Sequence, residues 1–262
     1  MDCNKVASFI SSWLYDYAAG CGAKGFVVGV SGGIDSALCS TLAAATTLPT
    51  LCVELSIHQA ASHVERANEH IAWLKRNFPN VEPVCIDLSD ACDEFVQAMP
   101  ASDSPSCDLV RANTRSRLRM AALYYQAGLR GALVVGTGNK VEDFGVGFFT
   151  KYGDGGVDLS PIADLTKTQV YELSEMLGIC RSILSAPPTD GLFGDDRSDA
   201  DQIGATYPEL EWAMDQYERG AKADDFDGRC REVFEIFVRR NRANRHKMEP
   251  IPVCRIPEEF LI

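Results

Sequence analysis

Gly25-Phe26-Val27-Val28-Gly29-Val30, continuing into Ser31-Gly32-Gly33-Ile34-Asp35-Ser36, decides the architecture of this chain. The first six residues are a short apolar run with β-branched members between glycines. That pattern predicts a strand buried on both faces, as in parallel sheets. Two adjacent glycines then let the backbone approach a ligand closely and turn amide N–H groups inward. Ser31 and Ser36 add hydroxyls. A small-residue helix over Ala37–Thr47 follows, and its positive dipole end points at the same place, so an anion is favoured there. The loop has no Gly-Lys-Ser/Thr, which argues against a kinase-like or motor ATPase. It carries Asp35 instead. A carboxylate beside phosphates makes sense when a Mg²⁺ ion sits between them. The plainer alternative is a glycine-rich strand-to-helix turn with no ligand.

Outward from this segment, strands and helices alternate. Upstream, Val6, Phe9, Ile10, Trp13, Leu14 and Tyr17 recur at helical spacing. Downstream, Pro49–Leu55 reads as a second strand. Ser62-His63-Val64-Glu65 reads as a capping box opening a helix with Val64, Ala67, Ile71, Leu74 and Phe78 on its apolar face. Val81–Leu88 is a third strand, residues 100–108 a Ser-, Asp- and Pro-rich loop, Asn113–Ala127 a helix bearing three arginines, and Leu133–Gly136 a further buried strand. Thr166–Gly178 has a Thr-x-x-Gln start and a terminal glycine, which predicts a helix. The expected fold is therefore α/β, a parallel sheet with helices on both faces. There is no repeat and no domain linker, so residues 1–262 are expected to form one domain. The acidic, Pro- and Gly-rich stretch 185–201 is either a solvated loop or a lid over the site.

Composition narrows the function. The formal net charge of -12 argues against general nucleic-acid or membrane-surface binding, which need a cationic face. A local phosphate pocket remains compatible with it. The ten cysteines include no C-x-x-C pair, so neither a zinc site nor a dithiol redox site is indicated. Reduced thiols in a cytoplasm are expected. The N-terminus is neither a signal peptide nor long enough to span a bilayer. His58, His63 and His70 are expected to be structural or exposed.

The segment SGGIDS after a hydrophobic strand resembles the pyrophosphate loop of the N-type ATP pyrophosphatases. A second segment is more specific. Gly136-Thr137-Gly138-Asn139-Lys140-Val141-Glu142 leads into Gly147-Phe148-Phe149-Thr150-Lys151-Tyr152-Gly153-Asp154-Gly155-Gly156, with Asp158 and Pro161 beyond. FFTKYGDGG is close to the signature of NAD synthetases. Asn113-x-x-x-Arg117-x-Arg119-Met120, Leu165-Thr166-Lys167, Pro188-Thr189 and His246-Lys247 match further family motifs in order, so the resemblance runs from about residue 25 to 252. It implies an adenine nucleotide α-hydrolase-like, Rossmann-like three-layer fold. The chain departs from the pattern at Glu54-Leu55-Ser56, where many relatives carry a more basic or proline-containing sequence, and no adenine contacts are assigned there.

The resemblance also implies roles. Gly29, Val30, Ser31, Gly32, Gly33, Ile34, Asp35 and Ser36, with Thr137, Lys167 and Thr189, would bind ATP. Asp35 and Glu142 would hold Mg²⁺. Arg117, Lys151, Asp158, His246 and Lys247 would bind deamido-NAD. Asp35, Asp154 and Lys167 are the expected catalytic residues, with Asp154 orienting ammonium and Lys167 neutralising phosphate charge. The implied reaction is amidation of deamido-NAD through an adenylated nicotinate carboxylate, releasing AMP and pyrophosphate. The implied assembly is a homodimer, with the first helix and the arginine-bearing helix as interface elements. Glutamine-using relatives carry a nitrilase-like domain in front. The first strand here begins at Gly25, so free ammonia is the expected donor. Three rivals are weighed against this. A tRNA-modifying enzyme would want a basic face and paired cysteines. A nucleotide sensor would not need the acidic residues and lysine after the sheet. A GMP synthetase core should lack FFTKYGDGG.

Overall fold

The computed structural model describes residues 1–189, 191 and 197–262. Four parallel strands, β1 (Phe26–Gly29), β2 (Thr50–Ser56), β3 (Val81–Asp87) and β4 (Leu133–Val135), form a sheet in the order β3-β2-β1-β4. Ten helices accompany them among the described residues. Before β3 lie α1 (Cys3–Cys21), α2 (Ile34–Ala45) and α3 (Ala61–Asn77). Between β3 and β4 lie α4 (Ser89–Gln97) and α5 (Cys107–Arg130). After β4 come α6 (Lys167–Met176), α7 (Arg181–Leu184), α8 (Asp199–Ile203), α9 (Tyr207–Glu218) and α10 (Gly228–Met248).

Register explains the layers. Phe26 pairs with Thr50, Val28 with Cys52 and Val27 with Val134. Alternate residues of each strand face opposite sides. Phe26 and Val28 pack with Ile10, Leu14, Leu38, Leu42 and Leu173, which come from α1, α2 and α6. Cys52 packs with Ile71 and Leu74 of α3. Val27, Leu51, Val53 and Val134 face the other way, onto Leu123 and Ala127 of α5. Burial on both faces is why these strands read as unbroken apolar runs. A separate apolar cluster joins α9 and α10 to the turn Lys140–Gly145 that follows β4, through Leu210, Phe234, Phe237 and Val141.

α2 is enclosed almost completely, and its hydroxyls are satisfied locally. Thr41 donates to the Ala37 carbonyl at 2.7 Å and Ser40 to the Ser36 carbonyl at 2.8 Å. Strand order reverses between β1 and β4, because the chain runs outward from β1 through β2 to β3 and then crosses back. Ligands of open parallel sheets bind beyond the strand ends at such a reversal.

Two sequence expectations are corrected. Ser62 does not cap α3. The helix begins one residue earlier, its N-cap is Ala60 with no side-chain bond, and Ser62 is already helical and exposed. The arginine-bearing helix begins at Cys107, six residues before Asn113, because the Ser/Pro loop ends at Ser106. The proposed lid, 185–201, falls partly outside the described residues. Its described part includes α8, capped by the Ser198 hydroxyl at the Asp201 amide.

Candidate active site

A cavity of about 490 Å³ opens at the strand reversal, within the usual range of small-molecule sites. All of Gly29–Ser36 lines it, together with Thr137, Glu142, Asp154, Lys167, Thr189 and Lys247. The 31–36 loop is held in shape by its own serines. The Ser31 amide donates to Ser36 Oγ at 3.2 Å, the Gly33 amide donates to Ser31 Oγ at 3.2 Å, and Ser36 Oγ donates to the Gly33 carbonyl at 2.9 Å. Gly32 has φ +82°, and a Cβ there would meet the His63 carbonyl oxygen at 2.5 Å. Only glycine suits both demands.

Three charged side chains meet where the loops after β1 and β4 converge. Lys167 Nζ lies 2.6 Å from Asp35 Oδ2 and 3.1 Å from Glu142 Oε2. Asp35 is the second residue of α2, and Lys167 opens α6 under a capping box made by Thr166 and Gln169. Fully buried Asn139 ties the pair together. Its Nδ2 donates to Asp35 at 3.1 Å and to Glu142 at 2.8 Å, and its Oδ1 accepts from the Val141 and Glu142 amides. Lys167 is only 4% exposed, and its ammonium stands 4.6 Å from the centre of the Tyr207 ring. The Tyr207 hydroxyl donates to buried Asp199 at 2.8 Å.

One ammonium between two carboxylates leaves a negative charge uncompensated. Burial lifts Glu142 to about 7, Lys167 opposes that rise and Asp35 adds to it. Burial works against the Lys167 charge, but Asp35 and Glu142 outweigh it and hold the ammonium above the ordinary lysine range. Two hard oxygen donors converging on one point, short of one positive charge, fit a divalent ion such as Mg²⁺. Among the described residues no group of three His, Cys, Asp or Glu side chains closes round a point. A metal on Asp35 and Glu142 would therefore draw its other oxygens from phosphate and water, the usual habit of Mg²⁺.

Also lining the cavity, Asp154 accepts at Oδ1 from Ser116 Oγ at 2.7 Å and from the Thr150 amide at 2.9 Å. The surrounding protein raises its carboxyl, and those two bonds pull it back. Lys247 Nζ donates to the carbonyls of Gly147 and Phe149 and stands over the Phe149 ring. Four expected substrate ligands lie outside the cavity. Arg117 is exposed, with Nε 3.4 Å from the Lys151 carbonyl. Lys151 Nζ donates to the His246 carbonyl, and His246 Nδ1 lies against the Ala243 carbonyl. Asp158 serves the scaffold, accepting from the Tyr124 hydroxyl at 3.0 Å and the Val134 amide at 2.8 Å.

Asp143, Asp199 and Gln202 also line the cavity and carried no recognised signal in the sequence. Arg119 had one. Its Nε donates to the Leu55 carbonyl at 2.9 Å and its Nη2 to Gln59 at 2.7 Å, and burial lowers it to about 10. Ala112, Ser116, Arg119 and Leu123 form a helical stripe on the cavity wall. Residues two apart are turned by about 200° on a helix, so Arg117 faces out when Arg119 faces in.

Comparison with known proteins agrees with this geometry. The sequence profile of the NAD synthase family matches residues 6–251. The chain belongs to that family. An NH(3)-dependent NAD(+) synthetase of Methanosarcina mazei is 36% identical over 257 residues, 97% of this chain and 98% of the relative. Among solved structures, an NMN synthetase from Francisella tularensis superposes with a TM-score of 0.82 at 30% identity, covering 98% of this chain and all of the other. An NH3-dependent NAD synthetase from Campylobacter jejuni shares the fold at 22% identity, with a TM-score of 0.78. As an NAD synthase family member the chain has the parallel α/β fold that the sequence predicted.

Proposed function

We propose that the protein amidates deamido-NAD with ammonia at the expense of ATP, forming NAD, AMP and pyrophosphate. One observation carries this reading. The carboxylate pair Asp35 and Glu142 and the ammonium of Lys167 converge beside the glycine-rich 29–36 loop, in a cavity that Asp154 also lines. The family and its NH(3)-dependent relatives support it.

Loop amides at the α2 N-terminus would hold the β- and γ-phosphates. Asp35 and Glu142 would hold Mg²⁺, which when bound neutralises charge on the departing pyrophosphate. Lys167, held against Tyr207, is placed to turn its charge toward phosphate oxygens once those carboxylates have another cation. The nicotinate carboxylate attacks the α-phosphorus, giving an acyl-adenylate. Asp154 orients ammonium and takes a proton, and the resulting ammonia displaces AMP. Thr137, Thr189 and Lys247 line the space for the two nucleotides.

Four of the five residues expected to bind deamido-NAD stand outside this chain's own cavity. That supports a homodimer in which part of the acceptor lies between subunits. Exposed apolar side chains on α1 (Phe9, Trp13, Tyr17) and α5 (Tyr125, Leu129), spaced along one helix face each, are candidate interface elements. We take residues 1–262 as one catalytic domain using free ammonia, working in the cytoplasm with reduced thiols. All ten cysteines are free, and no described helix is long and apolar enough to cross a membrane.

The likeness to an NMN synthetase favours one second reading, nicotinate mononucleotide as acceptor. Purified protein supplied with ATP, Mg²⁺ and ammonium is given each acceptor in turn, and AMP, pyrophosphate and amide are quantified. Equal release of AMP and NAD with deamido-NAD is the expected result. A strong preference for the mononucleotide would replace it with the second reading, and no AMP with either would overturn both.

A further inference from the structure

The stretch Glu54-Leu55-Ser56 departs from the family pattern, and the structure buries Glu54 in the cavity wall. Glu54 lies at the carboxyl end of β2, one residue beyond Val53, whose carbonyl accepts from the Val30 amide at 2.8 Å. That places it on the strand next to the phosphate loop, about 5 Å away at ordinary strand spacing. The residue is only 6% exposed and lines the cavity. One carboxylate oxygen, Oε1, accepts from the Ser56 hydroxyl at 2.7 Å. The other, Oε2, accepts no hydrogen bond from the described residues and is not fully enclosed, so a ligand in the cavity can reach it. Arg119 is near enough to feel its charge, and it directs Nε to the Leu55 carbonyl and Nη2 to Gln59, with no hydrogen bond to Glu54.

A carboxylate here repels phosphate. The nucleotide must therefore turn its triphosphate toward Ser31–Ser36 and bring something neutral and hydrogen-bond-donating to β2. We propose that Glu54 is a specificity residue that accepts a hydrogen bond from the nucleoside part of ATP, from the base amino group or a ribose hydroxyl. This rests on the reading of the cavity as an ATP site. The Rossmann arrangement gives a precedent in physics, since an acidic side chain at the end of its second strand accepts from ribose hydroxyls.

The test is an analogue cycle. ATP, purine riboside triphosphate (no amino group), 2′-deoxy-ATP and 3′-deoxy-ATP are compared by kcat/KM for pyrophosphate release, in wild type and in Glu54→Gln and Glu54→Ala. In wild type one analogue should lose about 10- to 100-fold against ATP, the range for a hydrogen bond to a charged group. In Glu54→Ala, ATP should fall to that analogue's level while the analogue itself changes little. The analogue that loses identifies amino group or hydroxyl. Glu54→Gln keeps an acceptor oxygen but loses the charge, so its discrimination should fall between that of wild type and Glu54→Ala. A wild type that releases pyrophosphate from ATP, yet discriminates among the analogues no more than the variants do, overturns this inference and leaves the ATP site standing. A wild type that releases none removes the ATP reading itself.

Discussion

The two halves of the cavity are built differently. On the ATP side all of the residues expected to bind ATP line the cavity of one chain, and the charged ones are held by short contacts. Asn139 bridges Asp35 and Glu142, Lys167 sits between them, and Gly32 packs against the His63 carbonyl. On the acceptor side, Lys247 reaches the cavity, whereas exposed Arg117 and His246 and half-buried Lys151 lie outside it, bonded to main-chain carbonyls. The first half is preorganised, with buried charges that fix one another. The second half is solvated, and its cations are placed to gain partners from a ligand or a second subunit. Preorganised charge counts for more in catalysis than flexible charge, because it costs no rearrangement during reaction.

This contrast predicts unequal losses. The largest belongs to Asp35→Ala. Turnover measured by pyrophosphate release should fall by about 100- to 1000-fold or more, while circular dichroism shows an intact fold. Near-normal turnover would remove Asp35 from the phosphate chemistry. Lys167→Ala should act on stability as much as on rate. It leaves two partly buried carboxylates side by side, so the loss should lie toward the lower end of the range of about 3–5 kcal/mol typical of broken buried pairs. Because the vacated point suits a hard cation, millimolar Mg²⁺ should restore much of the lost melting temperature in this variant. A melting temperature indifferent to Mg²⁺ would show that Asp35 and Glu142 do not form a cation site.

Legibility follows the same division. The order of strands and the 29–36 loop could be read from sequence because glycine placement and apolar runs are local signals. So could Thr166 as a helix cap, since Thr-x-x-Gln is a complete motif. The capping box at Ser62 has the same kind of spelling and fails, because the chain is already helical at that point. Asn139 lay inside a recognised motif without a stated role. Its importance comes from joining Glu142, three residues on, to Asp35, which lies far off in sequence at the start of α2. Asp158 shows a part that the motif did not announce: its carboxylate pins β4 to α5. Arg119 could have been chosen over Arg117 by following the stripe Ala112, Ser116 and Leu123, which needed only the helical period.

The support beneath the ATP half can be probed by pH. His70 of α3 is fully buried, with Nε2 3.1 Å from Ser40 Oγ and from the Ala37 carbonyl, so it clamps the helix that presents Asp35. Burial lowers its pKa from 6.5 to about 4. The unfolded chain therefore takes up a proton between those values while the folded chain does not. Folding stability should fall as pH drops from about 6.5 toward 4, by roughly 3 kcal/mol in all from this group. Denaturant titrations of His70→Asn should lack that part of the pH slope. An unchanged slope would mean that His70 is protonated in the folded protein.

The smallest expected effect tests the outer half. Arg117→Ala removes an exposed cation whose one recorded partner is a carbonyl at 3.4 Å, so it should alter the melting temperature little. If a dinucleotide phosphate uses this arginine, the KM for deamido-NAD should rise about tenfold, roughly one charge-assisted bond, with the KM for ATP unchanged. The effect should weaken in high salt, because the group lies in solvent where charges are screened. Nicotinate mononucleotide, which lacks the distal phosphate and ribose, should not feel the change. A rise in KM for both acceptors would place Arg117 nearer the reacting carboxylate than its position outside the cavity allows for one chain, and would argue that a partner subunit carries it into the neighbouring site.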